Sequence, residues 1–154
     1  MHDIPESMKD ELGEWNGGTG IDLESWIGCE GNFRLAVGYK TVFWPKFEAV
    51  GKYILIAGCT PDQIAGFERQ KSATPRSVEA VLNHLHIQDI QHRHCEDISA
   101  DKLLLLGTTL KEIYQAKLAW QFTDRPCRVE FFVPEDPDDF TDYEITFWQK
   151  ALDD

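Results

Sequence analysis

Hydrophobic residues recur at helical spacing in three long stretches of the chain. The first begins after Asn32, and Pro45 ends it because the residue before a proline avoids the helical region. The second begins at Thr74-Pro75, and its apolar stripe predicts a helix that reaches Leu85. The third and longest runs from Ser99 to about Phe122. Their apolar positions, spaced mainly by three and four, are Phe33, Ala36, Val37, Phe43 and Trp44; Val78, Val81, Leu82 and Leu85; and Leu103, Leu106, Leu110, Ile113 and Trp120.

Period-two alternation predicts two β-hairpins. Residues 47–50 and 53–57 flank Gly51-Lys52, a pair that suits a tight turn. Near the C-terminal end, residues 127–133 and 143–148 alternate between two faces, and prolines frame the loop between them. A further helix is predicted to start after Thr60, since Pro61 suits the first helical position and Gln63 completes a capping box.

The order of these elements predicts an α+β domain. We expect a small, mostly antiparallel sheet with helices packed on one face, and a C-terminal β-hairpin. Residues 21–154 are predicted to form this single domain. Residues 1–20 are predicted to be a flexible acidic arm, because they lack an apolar run and end in Gly17-Gly18-Thr19-Gly20.

The chain is strongly acidic, with a formal net charge of −12. Such a surface repels nucleic acids and anionic lipids and attracts basic proteins. No segment has the pattern of a signal or transit peptide, and no apolar stretch is long enough to span a bilayer. We therefore expect a cytoplasmic protein with a basic protein partner, acting neither on nucleic acid nor in a membrane.

Histidines are concentrated in one short segment, which holds His84, His86, His92 and His94, followed by Cys95. On a strand, residues two apart share a face and could bind one zinc ion, whereas on a helix they lie about 200° apart. Because the second helix is predicted to reach Leu85, His84 and His86 are expected on opposite flanks of it. His92, His94 and Cys95 remain metal-ligand candidates in a loop. No zinc-binding or metallohydrolase signature is present, so no cofactor is predicted.

Cys29 is the candidate for thiol chemistry. It stands just before a predicted helix start, where backbone amides and the helix dipole would stabilise a thiolate. His84 or His86 could then act as its base if the fold brings them together. A buried structural cysteine is the alternative, and the burial habit of free cysteine favours it.

The loop between the last two predicted strands is rich in carboxylates and has no basic residue. It could simply keep a hairpin tip soluble, it could bind calcium, or it could steer a basic protein partner. The spacing lacks the glycine and the terminal glutamate of an EF-hand loop. The residues predicted to bind the partner are Glu135, Asp136, Asp138, Asp139, Phe140 and Asp142. Trp148 and Phe132 lie near the loop in sequence, either as anchors for a partner or as core residues.

Three segments together resemble a family of short bacterial proteins with no established activity. They are Gly31-Asn32-Phe33 leading into Phe43-Trp44-Pro45-Lys46-Phe47, Ser77-Val78-Glu79-Ala80 with Asn83-His84-Leu85-His86, and residues 142–149. The resemblance covers the chain after the N-terminal arm, and it implies a bacterial setting without assigning a catalytic residue. In general character, small acidic bacterial domains without catalytic motifs also resemble immunity proteins, which neutralise secreted toxins.

Two hypotheses of different classes follow. The first is a non-enzymatic interaction domain, in the manner of an immunity protein, whose acidic hairpin loop binds a basic partner. The second is a metal-binding protein or a Cys/His-dependent enzyme centred on the segment from His84 to Cys95. A pocket that brings His84 or His86 together with Cys29, His92, His94 or a carboxylate would favour the second.

Overall fold

The structure, a computed structural model, describes residues 4–153. Within that range the α-helices are α1 (Glu6–Gly18), α2 (Leu23–Glu30), α3 (Phe33–Phe43), α4 (Pro61–Glu68), α5 (Pro75–Leu82) and α6 (Ala100–Gln121). The strands are β1 (Phe47–Val50), β2 (Tyr53–Ile56), β3 (Leu85–His86), β4 (Cys127–Phe132) and β5 (Glu144–Gln149). Short 3-10 turns occupy Ile87–Ile90, Phe140–Asp142 and Lys150–Leu152.

Side-chain caps position four of the helix starts. Asp22 and Asn32 accept hydrogen bonds from backbone N–H groups three residues further on, and so begin α2 and α3. Thr60 and Thr74 do the same in reciprocal capping boxes, with Pro61 and Pro75 at the next position. These caps satisfy N–H groups that have no partner inside the helix, which explains why local sequence predicts the starts so closely.

The strands form two antiparallel sheets. In the first, β1 pairs with β2 across a turn in which Gly51 adopts a φ of +58°. In the second, the order is β3-β5-β4, so the C-terminal hairpin contributes two adjacent strands and β3 adds a short third one. The predicted α+β class and C-terminal hairpin are confirmed.

The main core lies between α6 and the inner face of the three-stranded sheet. The Phe47 ring packs edge-on against Tyr114 and Phe147, with ring centres 5.4 Å and 5.0 Å away. Gly107 lets α6 approach β4 closely, because a Cβ there would lie 2.1 Å from the Phe131 ring. The edge-on contacts of the Phe47 ring add to the free energy gained by burying these aromatic rings.

The helix α5 packs beside β5, on the side of Thr146 and Trp148. The Thr146 hydroxyl donates a hydrogen bond to the Ala80 carbonyl, and the Arg76 guanidinium lies 4.6 Å from the centre of the Trp148 ring. The residues of β5 therefore face helices on both sides, and Ile145 through Gln149 are all buried.

Two buried polar side chains of α5 join the sheets. Glu79, with 0% exposure, accepts hydrogen bonds from the backbone N–H groups of Ile54 and Gln149. One turn later, Asn83 bonds to two further backbone atoms of β2, Ile54 O and Ile56 N, and to Phe147 O of β5. Side chains thus satisfy strand groups that another strand would otherwise pair.

The segment predicted as a flexible arm is helical over most of its length. Leu12 is 3% exposed, and the backbone N–H and hydroxyl of Ser7 both donate to the Asp101 carboxylate at the start of α6. Three consecutive residues with positive φ, beginning at Asn16, then turn the chain towards α2. The contacts with α6, which are invisible in the local sequence, hold α1 in place. Residues 1–3 of the predicted arm lie outside the described residues.

Candidate functional site

The two histidines after α5 lie side by side, which corrects the prediction that they point to opposite flanks of a helix. The helix ends at Leu82, because Asn83 turns inwards to bond β2 and β5. His84 follows on a non-helical chain, and His86 lies on β3 opposite Glu144. The centres of the two imidazole rings are 5.0 Å apart, with the rings nearly perpendicular.

Each of these imidazoles is already engaged through its Nδ1 atom. His84 Nδ1 lies 2.7 Å from the Val81 carbonyl, and His86 Nδ1 lies 2.6 Å from the Thr141 carbonyl and 3.2 Å from a Glu144 carboxylate oxygen. A carbonyl can only accept, so both Nδ1 atoms carry the proton. The pair therefore ties the end of α5 and the hairpin loop to β3.

The second histidine pair lies in an exposed loop. The His92 and His94 ring centres are 6.3 Å apart, and the His94 backbone N–H donates to His92 Nδ1. The Cys95 thiol donates to an Asp97 carboxylate oxygen 3.0 Å away, and this hydrogen bond raises the pKa of Cys95. Across residues 4–153, no group of three or more His, Cys, Asp and Glu side chains is arranged to hold a metal ion.

Cys29 lies in the wrong part of a helix for the predicted activation of its thiol. It is exposed in the last turn of α2, where the backbone carbonyls carry the negative end of the helix dipole. Burial raises the pKa of Cys59, and it raises the pKa of Cys127 to about 12, so neither of these thiols is activated as a nucleophile.

A shallow depression of about 400 Å³ lies on the outer face of the C-terminal hairpin. It is lined by Arg76, Arg128, Glu130, Phe132, Trp148 and Asp153. Its charges are matched locally, since Arg128 donates to the Asp153 carboxylate at 2.9 Å and Arg76 stacks on Trp148. None of the predicted catalytic or metal-binding residues lines it.

The predicted partner-binding residues fall on one ordered loop, which we call the acidic loop (residues 134–143). Its five carboxylates, on Glu135, Asp136, Asp138, Asp139 and Asp142, are all exposed. Within residues 4–153, none of them forms an ion pair with a lysine or arginine. The loop therefore presents a concentrated and uncompensated negative charge.

The body of the protein holds the acidic loop from several sides. The Tyr143 hydroxyl donates to the Pro137 carbonyl across the loop, and the Ile87 N–H donates to the Tyr143 carbonyl. Inside the loop, Asp136 accepts from the Asp138 N–H, and Asp139 accepts from a threonine hydroxyl. The carboxylates are thus presented in a defined arrangement. Burial, and then the carboxylates of Asp138 and Asp136, raise the pKa of Tyr143.

The aromatic residues near the acidic loop divide between core and surface. Phe140 is half-buried and packs against the main core, so only part of its ring is available to a partner. Trp148 is 4% exposed and donates its indole N–H to Asp153, as the core interpretation predicts. Phe132 and Val133, which directly precede the loop, are about half exposed at 50% and 52%. They form an apolar edge beside the carboxylates.

A second exposed surface, which the sequence did not predict, lies on α2 and α3. Phe33 is 92% exposed and Val37 is 69% exposed, although both belong to the predicted apolar stripe of α3. We call the exposed apolar side chains of Ile27, Phe33, Val37 and Trp44 the α2–α3 surface. The spacing of the apolar residues in α3 correctly predicts a helix. That spacing alone does not show whether anything packs on the apolar side of the helix.

Comparison of the chain with family models, with curated proteins and with solved structures finds no match. The resemblance to a bacterial family therefore stays a prediction. Among the described residues, no helix combines the length and the apolar composition needed to cross a membrane.

Proposed function

We propose that this chain is a non-enzymatic protein-interaction domain that binds a basic protein partner through the acidic loop. The observation that carries the proposal is the exposed run of five carboxylates between Glu135 and Asp142 with no basic side chain paired to it in the described chain. The cytoplasmic, immunity-type role expected from the sequence belongs to the same proposal.

The electrostatics of the acidic loop favour a positively charged partner. Like charges held close together repel, and a partner with lysines or arginines at matching positions relieves that repulsion. Clustered charge also accelerates the encounter of the two proteins and disfavours acidic competitors. The overall charge of −12 acts in the same direction.

The order within the acidic loop supports recognition of a specific partner. Hydrogen bonds at Asp136, Asp139 and Tyr143 limit the conformations that the loop can adopt before binding. A preorganised surface loses less conformational entropy when it binds, so more of the contact energy becomes affinity. The exposed rings and methyl groups of Phe132 and Val133 supply apolar contact area next to the charge.

A metal-dependent or Cys/His-dependent activity has less support in the geometry. Cys29 stands at the C-terminal end of α2, and the Nδ1 atoms of His84 and His86 are bound to backbone carbonyls. The depression beside Trp148 contains no histidine or cysteine. The exposed and unpaired carboxylates of the acidic loop therefore favour the interaction hypothesis over an enzymatic one.

The proposal is tested by cross-linking followed by kinetics. A photo-reactive amino acid at position 132, beside the acidic loop, should capture a basic protein from cells of the source organism, and mass spectrometry would identify it. With that purified partner, the association rate should fall about tenfold between about 50 mM and about 500 mM NaCl, because salt screens the attraction. Asp138→Asn combined with Asp139→Asn should lower the rate several-fold at low salt.

The control carries the same change in charge elsewhere on the surface. Glu112→Gln combined with Asp124→Asn alters two exposed carboxylates on and just after α6, and it should change the association rate far less. A captured partner that is acidic, a rate that is indifferent to salt, or equal losses in the two double variants would each contradict the proposal.

A further inference from the structure

The helices α2 and α3 lack the tertiary packing that short helices need. They contain 8 and 11 residues, and neither has a buried residue. Every residue from Ile27 to Gly38 is exposed. Helices shorter than about 12 to 15 residues are marginal in water on their own, and most helical stability in proteins comes from packing of an apolar face. Among the described residues, much of the surface of these two helices is therefore without a packing partner.

The orientation of α3 shows which side is left uncovered. Its inner side meets the body at Phe43, which packs against the main core, and at Val42, whose carbonyl accepts a hydrogen bond from the Tyr114 hydroxyl. On the same side, the Tyr39 hydroxyl accepts a hydrogen bond from the Gln91 side chain. Phe33 and Val37 lie on the opposite side of the helix, since residues four apart share a face. The N-terminal part of the apolar stripe, at Phe33 and Val37, thus points into solvent.

The charges on the two helices complement each other. The helix α2 carries Glu24 and Glu30 and no basic residue, whereas α3 carries Arg34 and Lys40 and no acidic residue. In the described chain, none of these four side chains takes part in an ion pair. A second copy whose α2 lies against this α3 would pair all four in a two-fold arrangement, since each copy offers both signs.

We propose that the α2–α3 surface binds the α2–α3 surface of a second copy of this chain, forming a two-fold symmetric dimer. Its four apolar side chains expose roughly 500 Å² together, within the range of the largest patch on a typical monomer. With the surrounding polar atoms, two such surfaces reach the size of a stable interface, about 800 Å² on each partner. This surface is separate from the acidic loop, so the dimer does not depend on the proposed function.

Sedimentation velocity of the full chain tests the dimer. The wild-type protein at about 100 µM should sediment at twice its monomer mass of 17.7 kDa. Phe33→Ser combined with Val37→Ser should raise the dimer dissociation constant at least tenfold. Leu104→Ser combined with Trp120→Ser, which alters two exposed apolar residues of α6, is the matched control and should leave the constant within about twofold. Because all four side chains are at least 46% exposed, these variants should remain folded, as circular dichroism would verify.

A charge-swap experiment tests the pairing itself. The Glu24→Lys/Glu30→Lys variant and the Arg34→Glu/Lys40→Glu variant should each be mainly monomeric, because α2 of one copy then repels α3 of the other. Mixed together, the two variants should form a heterodimer, since both contacts become attractive again. The proposal would be overturned if the wild-type protein were monomeric at this concentration, whether or not it floated with lipid vesicles. It would also be overturned if the mixture of the two charge variants stayed monomeric, or if the Leu104/Trp120 control dissociated as strongly as the Phe33/Val37 variant.

Discussion

At the scale of single residues, Glu79 shows how a buried carboxylate can serve the fold. It lies in an apolar helix segment next to Val78, and its oxygens accept three hydrogen bonds from two strands. Each of those donors would be costly to leave unpaired in the protein interior. The residue therefore stabilises the junction of the two sheets, and both of its carboxylate oxygens are occupied by these hydrogen bonds.

Replacing Glu79 tests this role. Glu79→Ala removes the acceptor for the N–H groups of Ile54 and Gln149, and we expect a loss of about 3 kcal/mol or more in the free energy of unfolding. Urea unfolding followed by tryptophan fluorescence would measure it. Glu112→Ala, at an exposed position of helix α6, should stay within about 0.5 kcal/mol of the wild type. A loss below about 1 kcal/mol for Glu79→Ala would contradict the bridging role.

Lys117 is a second buried polar residue that serves the fold. It interrupts the apolar stripe of α6, yet it is only 7% exposed, and its ammonium donates to the Pro45 carbonyl beneath the Trp44 ring. Burial and the charge of Lys40 lower the pKa of Lys117. The side chain joins α6 to the end of α3, so the interruption in the stripe is a contact and not a gap.

At the scale of elements, α1 illustrates docking by a few polar contacts. The Asp101 carboxylate accepts hydrogen bonds from the Ser7 N–H, the Ser99 hydroxyl and the Ser7 hydroxyl. These bonds lower the pKa of Asp101 from 3.8 to about 2. A carboxyl group whose pKa falls on docking favours the docked state most when it is ionised.

The docking of α1 should therefore weaken in acid. The contribution of Asp101 is fully present above about pH 4 and is lost as the pH falls towards 2, because protonation then removes the charge that the serines stabilise. Amide hydrogen exchange of residues 6–14, measured relative to the exchange of the core strand β5, should accelerate as the pH falls from about 4 towards 2. In Asp101→Asn the exchange of α1 should be faster at pH 6 and change little with acid. Equal pH dependence in the two proteins would exclude the mechanism.

At the scale of the whole molecule, the negative charge is unevenly compensated. Asp153 is held by the Trp148 indole N–H and the Arg128 guanidinium, and these contacts lower its pKa. The carboxylates of the acidic loop have no basic partner in residues 4–153. Uncompensated charge far from neutrality destabilises a compact state through self-repulsion.

Stability should consequently depend on salt and on which carboxylate is removed. Raising NaCl from about 10 mM to about 200 mM should raise the melting temperature, because screening weakens the repulsion. At low salt, Asp138→Asn combined with Asp139→Asn should raise the melting temperature by a few degrees, whereas Asp153→Asn should lower it. Differential scanning calorimetry would compare them. A loop variant that melts below the wild type would show that repulsion does not govern this surface.

The α2–α3 surface belongs to the same scale, because a pattern within one helix cannot reveal it. The stripe of Phe33, Ala36 and Val37 correctly predicts a helix, and Pro45 correctly places its end. Whether such a stripe is covered by the same chain, by another copy or by nothing depends on the path of the remaining chain. For the same reason the sequence could identify the acidic loop as a candidate but could not show that the histidine pairs fail to join Cys29 in one pocket.

The sequence by itself determined the features that depend on neighbouring residues. Caps at Thr60 and Thr74, the Gly51 turn and the alternation of the C-terminal hairpin all place backbone hydrogen bonds within a few positions of one another. Only the tertiary structure decided that α5 stops at Leu82 and that Phe33 and Val37 of α3 face outwards. Those outcomes follow from bonds and packing between residues far apart in the chain, whose partners local spacing does not specify.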